Sequence, residues 1–240
     1  MPKEKRRDLI AQHNLNVSFA ELRLIRQAIY EGSLMELVEE RCRAHPNLLE
    51  ALRQLGNYSK DLEKYDPRSK KSAFFYTGSE SLYRSEVLRH IQKLRAMPRK
   101  RDLVILPPSR KPYSKYVSGK LGNFYVYGSE QELDLNNTDF MVLDIPFGLI
   151  PLEIDEIYPL SQNESPRTWD VSSLEFIEDF ISEFVEYYDQ VLIHSNVIKK
   201  LDIGLYNIHS QSDEIRYAKD DLKKVKAIAD YQFGVGVGDA

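Results

Sequence analysis

Asp66–Glu86 reads DPRSKKSAFFYTGSESLYRSE, and this stretch divides the chain into two kinds of sequence. The residues before it have helical periodicity, and those after it alternate between strand-like and helix-like segments. Pro67 pushes Asp66 out of the helical region and so ends any helix arriving from upstream. A basic cluster, Arg68, Lys70 and Lys71, comes next, then the apolar run Ala73-Phe74-Phe75-Tyr76 closed by Thr77-Gly78. Ser79, Ser81 and Ser85 offer hydroxyls to cap a following helix. The segment reads as a buried connector with a solvated basic edge.

Upstream, Lys3–Gln12 is charged, with Leu9 and Ile10 its sizeable apolar residues, and it runs into His13–Val17 without a recognisable domain start. Ser18-Phe19-Ala20-Glu21 has the spacing of a capping box, in which the serine oxygen and the glutamate satisfy amides of the first turn. Leu22, Ile25 and Ile29 then recur at helical spacing as far as Gly32. A second box, Ser33-Leu34-Met35-Glu36, opens a helix over Leu34–Ala44, and His45-Pro46 closes it. A third helix is predicted from Asn47 to Leu62 with Leu48, Leu49, Leu52 and Leu55 inward. Three amphipathic helices form too thin a layer to bury their own apolar stripes, so they are expected to pack on something else.

Downstream, a helix over Arg84–Met97 carries Val87, Leu88, Ile91 and Leu94 and ends in the basic linker Met97–Arg101. Asp102–Leu106, Phe124–Tyr127, Phe140–Ile145 and Gln190–His194 are short apolar runs of buried-strand type. A helix from Ser172 to Tyr188 presents Phe176, Phe180, Phe184 and Tyr187 or Tyr188 on one face, and a last helix is predicted over Asp213–Tyr231. This order implies an α/β domain with a mostly parallel sheet.

At 240 residues, 42% hydrophobic and 29% charged, the chain has the composition of a globular protein with a substantial core. Its net charge of -4 argues against wholesale wrapping of nucleic acid while allowing a local basic patch. The single cysteine, Cys42, excludes an intramolecular disulfide, and MPKEKRRDLIAQ lacks the apolar core of a secretory signal. No apolar run reaches membrane-spanning length. A soluble cytoplasmic protein without a membrane partner is expected.

Candidate chemistry centres on the loop after the first long strand, Pro107–Tyr116, at the carboxyl end of a strand where open α/β sheets bind ligands. Arg110, Lys111, Lys115 and Lys120 could neutralise phosphates, and Tyr113 or Tyr116 could stack on a base. The alternative is a solvated loop stiffened by Pro107, Pro108 and Pro112. Asp144, ending FMVLD, is the best-placed carboxylate for chemistry, or else it caps the next turn. Glu153, Asp155 and Glu156 read as a solvated acidic face. Cys42 lacks the surroundings of a thiolate nucleophile, and Gly234–Gly238 lacks the strand and helix of a dinucleotide fingerprint. His13 has no cysteine near it in sequence, whereas zinc takes three or four protein ligands.

His13-Asn14-Leu15, the helices downstream of it and DPRSKKSAFFYTGSESLYRSEV resemble the end of the catalytic region of archaeal tRNA-guanine transglycosylase, the archaeosine enzyme family. Lys111-Pro112-Tyr113-Ser114 and FGLIPLEIDEIYP (Phe147–Pro159) resemble the domain that comes after the barrel there and is shared with archaeosine synthase. The resemblance implies a helical segment over 1–97 belonging to the end of a TIM-barrel region, an α/β domain over 98–230, and a truncated linker from 231. It matches His13 to the histidine of a zinc site otherwise made of cysteines. It places the barrel strands, the catalytic aspartates and those cysteines upstream of Met1, so no catalytic residue is expected in this chain.

The resemblance implies two possible functions. In one, the chain is a subunit or fragment that docks on a barrel-bearing transglycosylase partner and offers His13 to its zinc cysteines. It then places tRNA through Arg110, Lys111, Tyr113, Lys115 and Lys120. In the other, it acts as an archaeosine synthase-like enzyme on the 7-cyano-7-deazaguanine base already in tRNA, with Lys111, Tyr113 and Asp144 in the pocket. The synthase pattern has Pro-Cys where Pro107-Pro108 stands and a histidine near Gly119-Lys120, which favours the first.

Overall fold

The computed structural model describes residues 1–115, 124–128, 134–194, 197 and 216–218. They fall into two compact units, one of residues 1–72 with 83–85, the other of residues 73–82 with 86–240.

The first unit is helical. α1 runs unbroken over Lys3–Glu31, α2 over Leu34–Cys42, α3 over Pro46–Leu55 and the short α4 over Ser59–Leu62. The predicted start at Ser18 is therefore corrected. Lys, Glu, Arg, Ala, Gln and Leu upstream are good helix formers and nothing among them breaks the helix, so Ser18 turns back to the Asn14 carbonyl at 2.9 Å. Gly32 does end α1, in the left-handed conformation at φ 75°. A Cβ there would lie 2.9 Å from Pro67 Cγ, a second reason for glycine. The predicted third helix is two helices, with a single 3-10 turn over Gly56–Tyr58 between them. Its leucines are not uniformly inward: Leu52 is buried, but Leu48 and Leu55 are exposed. Along α1, Leu9, Ile10, Leu15, Phe19, Leu22 and Ile29 are all exposed, and Ala28 is that helix's buried residue.

The basic cluster is only partly a solvated edge. The Lys70 side chain is buried and pairs with Glu36, which also takes Arg84 Nη2 at 2.6 Å. Ser33 precedes α2 without capping it through its side chain, so the predicted second capping box does not form. Glu36, the last residue of the box, is committed to Lys70 and Arg84.

The second unit is built on a six-stranded sheet. In chain order its strands are β2 (Asp102–Leu106), β3 (Phe124–Gly128), β4 (Thr138–Asp144), β5 (Gly148–Pro151), β7 (Gln190–His194) and β8 (Arg216–Ala218). Across the sheet the order is β5-β4-β2-β7-β3-β8. The centre is parallel, with Val104 of β2 opposite Phe140 of β4 and Leu192 of β7. β5, β3 and β8 add antiparallel edges. β5 was not expected as a strand, and Arg216–Ala218 is extended within the span predicted as a last helix, the rest of which lies outside the described residues. A two-residue β1 (Phe74–Phe75) pairs in parallel with β6 (Asn163–Glu164).

α5 (Ser85–Ala96) and α6 (Val171–Val185) complete the core. Val87, Ile91 and Leu94 enter it from α5, and Ile177, Phe180 and Phe184 from α6. The phenylalanine face is as predicted: Phe176, Phe180 and Phe184 stack at 6.3 and 5.8 Å. The two buried rings, Phe180 and Phe184, each contribute roughly 1.5–3 kcal/mol relative to exposure. The basic linker before β2 is tied inward. Arg99 lies 4.1 Å above the Tyr187 ring, Lys100 Nζ donates to Thr138 O at 3.1 Å and Arg101 pairs with Asp102 at 2.6 Å. Among the described residues no helix is long and apolar enough to cross a membrane.

Candidate nucleic-acid interface

β2 is buried at every position and apolar from Leu103 to Leu106, where the chain leaves the sheet. Pro107, Pro108 and Pro112 withhold three amides from any continuing ladder, and a single 3-10 turn, Tyr113–Lys115, comes next. Beside it β4 ends at Asp144, paired across a turn with Gly148 of β5.

These ends converge on one buried cluster. Tyr113 is wholly buried and donates its hydroxyl to Asp144 Oδ2. Lys111 Nζ donates to Asn163 O at 2.7 Å and to the Asn163 side-chain oxygen, and lies 3.4 Å from Asp144 Oδ2. Of the three N–H groups of an ammonium, Lys111 commits two to Asn163, and Asp144 balances its charge. Burial lowers the Lys111 pKa despite the neighbouring Asp144, and burial followed by the Asp144 charge raises that of the Tyr113 phenol. Asn163 is itself fixed, donating Nδ2 to Pro159 O at 3.1 Å and Leu160 O at 2.8 Å.

The next residue is held just as firmly. Ser114 donates its backbone N–H to Asp155 Oδ2 at 2.6 Å and its hydroxyl to Asp155 Oδ1 at 3.0 Å. Asp155 is 1% exposed, so the predicted solvated acidic face is corrected at this position. Glu153 and Glu156 on either side are exposed. A carboxylate that accepts two hydrogen bonds from one residue tolerates burial that an unpaired one would not.

The predicted residues thus divide. Lys111, Tyr113 and Asp144 are brought together, as an internal staple. Asp144 serves it as acceptor and does not simply cap a turn. Arg110 and Lys115 stand exposed on the same loop, with Lys115 Nζ 2.8 Å from Glu156. Tyr116 and Lys120 lie outside the described residues. His13 is exposed on α1, and Leu9, Ile10, Asn16 and Val17, one turn either way, are not metal ligands. Among the described residues no three His, Cys, Asp or Glu side chains come together to hold a metal. One imidazole does not fit a four-coordinate zinc, so any zinc at His13 would need its other donors from outside the described residues. Asn163 was not anticipated. Its one sequence signal is the Pro159–Asn163 spacing that lets an asparagine bond back to carbonyls three and four residues earlier.

Residues 87–229 match the family model described as a domain of unknown function, DUF5591. The chain is 99% identical over 240 residues to a tRNA-guanine(15) transglycosylase of Methanobrevibacter smithii, covering 100% of this chain and 36% of that protein. Proteins of the same name from Methanosphaera stadtmanae and Methanothermobacter thermautotrophicus are 51% and 44% identical. Each also matches 100% of this chain, over 37% and 35% of its own length. The chain therefore spans about a third of the length of the curated relatives it matches.

Proposed function

Since the chain belongs to the family described as a domain of unknown function, DUF5591, we propose that it is the tRNA-handling part of an archaeal tRNA-guanine(15) transglycosylase. It assists the exchange of guanine for 7-cyano-7-deazaguanine in the tRNA D-loop, in the cytoplasm, and leaves the bond-making to a barrel-bearing partner. The observation that carries this reading is the likeness to enzymes of that name, which runs through all 240 residues. The exposed apolar residues of α1 are the surface offered to the barrel. His13, on the same helix, contributes its imidazole to a zinc whose cysteines the partner supplies.

The tRNA meets the loop after β2. Lys111 and Tyr113 shape that loop from within, while Arg110, Lys115 and Lys120 neutralise phosphates. Titration of unmodified tRNA with the chain at several salt concentrations tests this. Affinity should fall with salt, and Arg110→Ala and Lys115→Ala should each reduce the slope of log K against log[salt] by about 0.7–0.9. Binding that ignores both substitutions would overturn the assignment.

A second reading, in which the chain itself transforms the base already in tRNA, is favoured by the meeting of Lys111, Tyr113 and Asp144. It requires Lys111→Ala to abolish turnover of tRNA carrying 7-cyano-7-deazaguanine, and unchanged turnover would remove it.

A further inference from the structure

Two adjacent carboxylates face the basic loop and occupy opposite environments. Asp155, 1% exposed, binds the backbone and hydroxyl of Ser114 and so fixes the turn that ends at Lys115. Glu156 stands in solvent and pairs with Lys115 at 2.8 Å, the two side chains being 60% and 64% exposed. We propose that this pair sets the strength of the loop's hold on tRNA: Asp155 is a positioning residue for Lys115, and Glu156 is a built-in competitor that a phosphate must displace. The inference rests on the reading of this loop as a tRNA contact.

The physical case lies in the contrast. A buried acceptor that makes two hydrogen bonds to one residue orders the backbone, so the next side chain leaves the turn in one direction. An exposed ion pair is weak and exchanges readily, so it occupies Lys115 without locking it. Phosphate and carboxylate then compete for one ammonium. Glu156 lowers affinity and speeds release, which suits a protein that must let each tRNA go after modification.

The test uses the 240-residue chain and unmodified tRNA, with binding monitored by fluorescence anisotropy across salt. Glu156→Gln should tighten binding about 1.4- to five-fold, the range spanned by exposed ion pairs, and should do so only while Lys115 is present. Placed on Lys115→Ala, the same change should have no effect. Ser114→Ala removes one of the two bonds to Asp155 without touching the backbone amide. It should bring the salt slope down toward that of Lys115→Ala and add nothing to Lys115→Ala. Ser114→Thr, which keeps the hydroxyl, should restore the slope.

If Lys115→Ala weakens binding while Glu156→Gln leaves it unchanged, the competitor role is wrong and the loop assignment stands. Equal tightening by Glu156→Gln with and without Lys115 would reduce its effect to net charge and also overturn the proposal. Binding untouched by Lys115→Ala would remove the underlying reading and this inference with it.

Discussion

Acidification should destabilise the α/β unit through one histidine. His90, on α5, is 5% exposed and its Nε2 lies 2.8 Å from the Leu149 carbonyl, which can only accept, so Nε2 carries the proton of the neutral ring. Its ring stands nearly perpendicular to that of Phe147, with centroids 5.7 Å apart. Burial, partly offset by the bond to Leu149 and aided by Lys93, lowers its pKa from 6.5 to about 4. The folded-state value is the lower one, so between these limits the unfolded chain binds a proton that the folded chain does not. Stability is therefore full above about pH 6.5 and falls as pH drops toward about 4. At 1.36 kcal/mol per pH unit that is a loss of about 3 kcal/mol, or about 1.5 M in urea midpoint for a slope of about 2 kcal/mol/M.

The assay is urea unfolding of the chain and of His90→Gln over this pH range, monitored by fluorescence. Trp169 is the chain's one tryptophan and packs against the α/β core, so it reports on the right unit. The variant cannot titrate at this position. The gap in stability between the two proteins should close by about 3 kcal/mol as pH falls. A gap that stays constant from neutral pH to pH 4 would refute the reasoning, because other acidic groups act on both proteins alike.

Three further outcomes are expected from named contacts. Tyr113→Phe removes a buried hydroxyl donated to the Asp144 carboxylate and should cost about 1.5–3 kcal/mol by urea unfolding. Gly148→Ala should cost about 2–5 kcal/mol in the same measurement: Gly148 has φ 71° and a Cβ there would lie 2.8 Å from Phe180 Cδ1. Glu36→Gln leaves Lys70 and Arg84 facing a neutral amide and should cost about 3 kcal/mol. Far-UV circular dichroism would read that loss in the helical unit.

How much of this was legible depends on how local its cause is. Asp102–Leu106 and Gln190–His194 were readable as buried strands because every residue of the first, and the apolar run of the second, is buried on both faces. The phenylalanine face of α6 was readable because a four-residue spacing places Phe176, Phe180 and Phe184 in one stack. Gly32 announced the end of α1, since only its conformational freedom suits the left-handed turn there. The failures have non-local causes. Ser18 looks like a cap until the residues before it are helical too, and Glu36 looks like the end of a capping box until Lys70 and Arg84 claim it. β5 comes after β4 by a turn too tight to separate from its apolar surroundings. In the candidate site the loop and its cations were visible from composition. Their division into Lys111 turned inward and Arg110 and Lys115 turned outward depends on Asn163 and Asp155, which lie 52 and 41 residues away from the groups they hold.

The most direct test of the proposed function is guanine exchange into unmodified archaeal tRNA. It would be run on this chain alone, on a separately expressed barrel-bearing partner, and on the two together, with bound zinc quantified in each sample. The account predicts exchange and stoichiometric zinc in the mixture, neither with this chain alone, and loss of the zinc on His13→Ala. Exchange by the partner at full rate without this chain, or a mixture as inactive as its parts, would contradict it.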